Sequence, residues 1–144
     1  MRLAPVVAIC LSAAAGAGYG ESYSQDKIPP AGFRDVVGLT LLCINQVDDY
    51  YLKSWMDSQI GDAEKHDGGA WWYNASGFLL YGAPIEQIFV GNPMEAPGYR
   101  YIGAVFGLPP VDLVASIAKY EGWDFRPMPD GSYLTFPRKI VFQG

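Results

Sequence analysis

The chain has 144 residues, half of them hydrophobic and 17% charged, with a formal net charge of −5. That balance is globular and excludes a disordered chain. The 4 Trp, 10 Tyr and 7 Phe supply enough apolar area for a core without metal or disulfide staples. An acidic chain repels phosphate backbones, so nucleic acid is excluded as a natural partner.

The first residues, MRLAPVVAICLSAAAGAG, carry Arg2, a short apolar run from Leu3 to Leu11 and then small residues. Ala13-Ala14-Ala15 and Ala15-Gly16-Ala17 both fit the A-x-A cleavage pattern, which predicts a signal peptide over residues 1–17. The run is too short to span a bilayer. The expectation is therefore a periplasmic or secreted protein that is not membrane-integral after cleavage. Cleavage removes Cys10 and leaves Cys43 alone, so no internal disulfide can form. Flanked by Leu41, Leu42 and Ile44, that thiol is expected to be buried as a small hydrophobe.

Residues 18–32 are polar, contain Pro29-Pro30 and show no periodicity, which reads as a flexible arm before a single folded domain over 33–144. From Val37 to Ile44 the apolar positions fit a strand and a helix equally. Residues 48–60 (DDYYLKSWMDSQI) predict a helix capped by Asp48 or Asp49, with Tyr51, Leu52, Trp55 and Met56 on one side and Gly61 at its end. GDAEKHDGG then reads as an exposed loop. Strands are expected at Trp71–Asn74, Phe78–Tyr81 and Ile85–Val90, with a turn at Gly82-Ala83-Pro84. The two prolines of residues 92–98 make a loop. Tyr99 to Phe106 is apolar enough for a central strand. A helix is expected from Pro110 or Val111 to Tyr120, with proline tolerated in its first turn and Gly122 stopping it. A strand from Trp123 to Phe125, a turn at Pro129-Asp130-Gly131, a strand from Ser132 to Phe136 and an edge strand from Ile140 to Phe142 complete the chain. This order predicts an α+β domain: a mostly antiparallel sheet with two or three helices packed on one face.

Chemistry-bearing residues are few. His66, the single histidine, stands near Asp62, Glu64 and Asp67, any of which could orient it as a general base. A hydrolytic triad needs a nucleophile as well. Ser76 lacks the G-x-S-x-G elbow and Cys43 lacks a family signature, so no catalytic residue is assigned. Asp62, Glu64 and Asp67 miss the calcium-loop spacing, and one His with one Cys cannot fill a zinc site, so neither a metal nor a cofactor is expected. Glu86 and Glu95 are conceivable glycosidase acids, but nothing in the sequence pairs them. Asn74-Ala75-Ser76 matches the N-glycosylation acceptor, which matters only in a glycosylating host.

The pattern that points to function is binding. Residues 48–67 hold Asp48, Asp49, Asp57, Asp62, Glu64 and Asp67 against Lys53 and Lys65, a negative patch that would steer a basic partner. Trp71, Trp72 and Tyr73 are consecutive, so in a strand at least one ring faces away from the core. The reading is an inhibitor or immunity-type partner of a basic enzyme or toxin in the cell envelope. Its contacts would come from Tyr51, Asp57, Asp62, Glu64, Trp71 and Trp72. The alternatives are a carbohydrate- or peptidoglycan-binding module that stacks sugars on Trp71 or Trp72, and a small hydrolase centred on His66.

Overall fold

The structure, a computed structural model, describes residues 27–95, 101–130 and the backbone of 133–137. The expected signal peptide, most of the expected arm and the Ile140–Phe142 strand lie outside the described residues. Among the described residues no helix is long and apolar enough to cross a membrane.

Val37 to Ile44 resolves as helix. A π-turn over Arg34–Gly38 runs into an α-turn over Leu39–Leu41, and the two together form α1. Phe33, Val37, Leu41 and Leu42 face the core. Cys43, expected to be buried, is exposed. Leu41 and Leu42 already fill the apolar side, and Cys43 takes a left-handed backbone (φ 60°) that turns it outward as the helix ends.

Helix α2 spans Asp49–Gln59. Asp48 is its cap, its carboxylate accepting from the backbone N–H groups of Tyr50 and Tyr51 at 3.0 and 3.2 Å. Leu52 and Met56 form its buried stripe. Tyr51, expected beside them, is exposed. Helix α3, Pro110–Glu121, opens on proline and ends at Gly122 in the left-handed conformation, burying Leu113 and Ile117.

The strands are β1 (Lys65–Asp67), β2 (Ala70–Asn74), β3 (Leu79–Leu80), β4 (Ala83–Gly91) and β5 (Ile102–Phe106), followed by a separate hairpin of β6 (Trp123–Pro127) and β7 (Tyr133–Pro137). All pairings among the described residues are antiparallel. The centre of the sheet is β4 rather than β5. It takes β2 and β3 along one edge and β5 along the other. The turn into β4 also falls earlier than expected, at Tyr81-Gly82, because Ala83 and Pro84 already pair with Leu80 and Leu79.

This is a small α+β domain, with one core between the helices and one face of the sheet. Val37, Leu52, Met56, Leu113 and Ile117 from the helices join Tyr73, Ile85, Ile88, Val90, Ile102 and Ala104 from the strands in one buried cluster. Period-2 alternation sends Trp72, Phe89 and Gly103 to the opposite face.

Two buried tyrosines tie the layers together. Tyr73 donates to Asp57 Oδ1 at 2.8 Å, and Tyr81 donates to the Gly38 carbonyl. Burial pushes both phenols well above the ordinary value of 10.0; Asp57 adds to the shift at Tyr73 and Glu121 at Tyr81. Above about pH 10 the unfolded chain releases these protons while the folded chain keeps them. Stability is therefore whole below that pH and falls as pH rises. The urea midpoint is expected to drop steadily above about pH 10, with a smaller slope in Tyr73→Phe. An identical slope in that variant would show that Tyr73 does not contribute.

Candidate functional site

The β1–β2 hairpin and α2 carry most of the residues singled out by sequence. Gly68 and Gly69 take φ of 60° and 74°, the two left-handed positions of a type I′ turn, so KHD pairs with AWW instead of forming a loop. His66 thus sits on a strand directly opposite Trp71. The Gly-Gly pair was the sequence signal for this, and it outweighs the polarity of the segment.

The register turns Trp71 and Tyr73 toward α2 and Trp72 away from it. Trp71 is half-buried, with the His66 ring stacked against it at 5.7 Å and the Lys53 ammonium 4.9 Å from its centroid. Trp72 lies between its two cross-strand neighbours: Lys65 of β1 is 4.7 Å from the centroid and the Phe89 ring of β4 is 4.6 Å away. Its indole N–H donates to the Asp67 carbonyl at 3.0 Å. Both indoles are therefore packed by groups of their own chain.

The carboxylates divide into tied and open groups. Asp57 accepts from Lys53 Nζ at 2.6 Å as well as from Tyr73. Glu64 accepts from Asn74 Nδ2 at 3.0 Å. Asp48 caps α2 and Asp49 is buried. Asp62 stands exposed, as does Asp67, whose Oδ2 is 3.9 Å from Lys65 Nζ. Tyr50 and Tyr51 are each 55% exposed, on different flanks of α2. Tyr50 shares a flank with Lys53 and Asp57 at i, i+3, i+7 spacing and so borders the Trp71 side, which Tyr51 does not.

His66 meets a carboxylate, but from a different part of the chain than expected. Its Nε2 is 2.9 Å from Glu95 Oε1, and Asn92 Nδ2 lies 3.5 Å from the same nitrogen and donates to Glu95 at 3.2 Å. Asn92 also ties the turn after β4 to the hairpin, its N–H donating to the Gly69 carbonyl. The imidazole and Glu95 are 40% and 46% exposed, so the pair sits on a surface, not in a cleft. Ser76 lies beyond the opposite end of β2, with its N–H held by Asn74 Oδ1, and Cys43 lies after α1. The arrangement provides a base with an orienting acid and amide, and neither of those two nucleophiles belongs to it. Among the described residues no three His, Cys, Asp or Glu side chains gather to hold a metal ion.

Comparison with family models, with curated proteins and with solved structures finds no match to this chain. The functional reading therefore rests on the residues themselves. Sequence reasoning missed Glu95 and Asn92 as partners of His66, and Tyr50 as the tyrosine on the hairpin side of α2. No local pattern announces the first two, because 26 positions separate Asn92 from His66.

Proposed function

We propose that this protein acts after export by binding, as an inhibitor or immunity-type partner of a basic enzyme or toxin in the cell envelope. The contact face is the α2–β1–β2 unit. One observation carries the reading: Asp62, Asp67 and Tyr50 are presented to solvent beside a scaffold in which Asp57, Glu64 and Tyr73 are held by bonds within the chain. The Lys53–Asp57–Tyr73 chain fixes α2 on β2, so little ordering remains to be done on association. Six carboxylates against two lysines over residues 48–67 keep a negative field there, because hydrogen bonding within the chain does not cancel net charge. Exposed tyrosines are suited to act as anchors. The packing of Lys53 and His66 on Trp71, and of Lys65 and Phe89 on Trp72, favours this reading over sugar stacking.

The test uses a panel of basic cell-wall hydrolases, including a lysozyme-type muramidase, with association rates measured at low and high salt. Asp62→Asn combined with Asp67→Asn is expected to slow association roughly tenfold at low salt, with little effect on dissociation, since both acids are exposed steering charges. Binding to no member of the panel, or a rate indifferent to both salt and substitution, would overturn the proposal. A tryptophan fluorescence response to peptidoglycan fragments would support the glycan-binding alternative instead.

A further inference from the structure

At the end of the sheet remote from His66, the β3–β4 turn meets the last turn of α3 and the start of α1. Together they enclose an open groove of about 600 Å3, walled by Phe33, Tyr81 and Tyr120 and charged by Arg34, Asp35 and Glu121. Its volume falls within the roughly 300–1,000 Å3 of ligand clefts.

The wall is held from several sides. Tyr81 and Gly82 take φ of 54° and 74°, an unfavourable conformation for a tyrosine, which persists only when its surroundings enforce it. The Tyr81 hydroxyl bonds Gly38, its ring stacks on Phe106, and its carbonyl accepts from Ser116 Oγ at 2.5 Å. Tyr120 lies directly on the turn: a Cβ at Gly82 would come within 2.3 Å of its ring.

The charges decide what such a groove attracts. The Glu121 side chain is only 6% exposed and takes the Arg34 fork at both oxygens, at 2.9 and 2.5 Å. Asp35, which is exposed, takes the third N–H at 3.1 Å. Two carboxylates thus share one guanidinium, which leaves the lining residues with one net negative charge and favours a cation over an anion. A ligand guanidinium can take the place of Arg34 on these two carboxylates, because the Arg34 side chain, 57% exposed, is free to swing out and uncover Glu121. Tyr120 can take a cation against its ring, as the Lys119 ammonium 6.0 Å from its centroid illustrates from outside the groove.

We propose that this groove receives an arginine side chain of a polypeptide ligand, bonded by Asp35 and Glu121 and laid against Tyr120. Arg34 is the resident competitor that keeps Glu121 compensated while the groove is empty. A guanidinium fits better than an ammonium because its donors are coplanar with a face that can stack. The site is separate from the α2–β1–β2 face, and its test does not depend on that face.

The full chain is titrated with acetyl-Gly-Arg-Gly-amide while backbone amide NMR shifts are followed. Shifts are expected at Gly82, Tyr120 and Glu121. The same peptide with citrulline, a neutral near-isostere, or with lysine should bind at least several-fold more weakly. Asp35→Asn, a change on an exposed side chain, should weaken arginine binding about threefold, and Arg34→Ala should tighten it about fivefold by removing the competitor. Equal binding of the citrulline or lysine peptide, shifts confined to residues 48–67, or unchanged affinity in Asp35→Asn would overturn the assignment.

Discussion

Ile88→Ala is expected to lower the free energy of unfolding by about 3 kcal/mol, read as a fall in the urea midpoint at constant slope. Ile88 is completely buried in β4, with Tyr73 opposite it on β2 and Ala104 opposite it on β5. A strand paired along both edges cannot shift to close the space left by the missing atoms. Ala104 is too small to fill that space, and the Tyr73 ring is anchored by its bond to Asp57. The cavity therefore persists, which places this substitution in the upper part of the range for large-to-small core changes. Val111→Ala is the matched control: Val111 is 63% exposed on α3, and the change should stay within about 0.5 kcal/mol. A loss below about 1 kcal/mol for Ile88→Ala would mean that the core is more plastic than this sheet geometry allows.

The second large effect is on the other face of the sheet. Gly103 lies across from Phe89, whose ring covers it so closely that an added Cβ would fall 1.8 Å from the ring tip. The ring cannot simply tilt away, since Trp72 stands at 4.6 Å and Tyr101 at 6.2 Å from its centroid. Gly103→Ala should therefore cost about 2–3 kcal/mol through displacement of Phe89. Phe89→Ala alone should cost about 3 kcal/mol by exposing the same surface. In the double variant the clash is gone, so the combined loss should fall short of the sum by more than about 1 kcal/mol. Additive losses would show that Gly103 is required for a reason unrelated to the Phe89 ring.

Much of the architecture was legible in the residues. The α2 and α3 helices, the strands around Trp71–Asn74 and Ile85–Val90 and the β6–β7 hairpin follow from caps, prolines and alternation, all of which act within a few positions. The α+β class followed from their order. The same logic failed where two local readings were equally good. Val37–Ile44 fits either period, and its helix was settled by the core that Val37 and Leu41 enter. The apolar run into β5 resembled a central strand, yet β4 takes the centre, because continuous apolar character reports burial on both faces and not the number of strand neighbours.

Sequence by itself determined the acidity of residues 48–67, the isolation of His66 and the rule that Trp71 and Trp72 must face opposite sides of a strand. Only the tertiary structure decided which ring turns inward, that Glu95 is the carboxylate at His66, and that Arg34 closes on Glu121 across 87 positions. Caps and periodicity are written in neighbouring residues. A charge partner or a buried face is chosen by whatever the rest of the chain brings within a few ångströms, and that is set by the packing of whole elements.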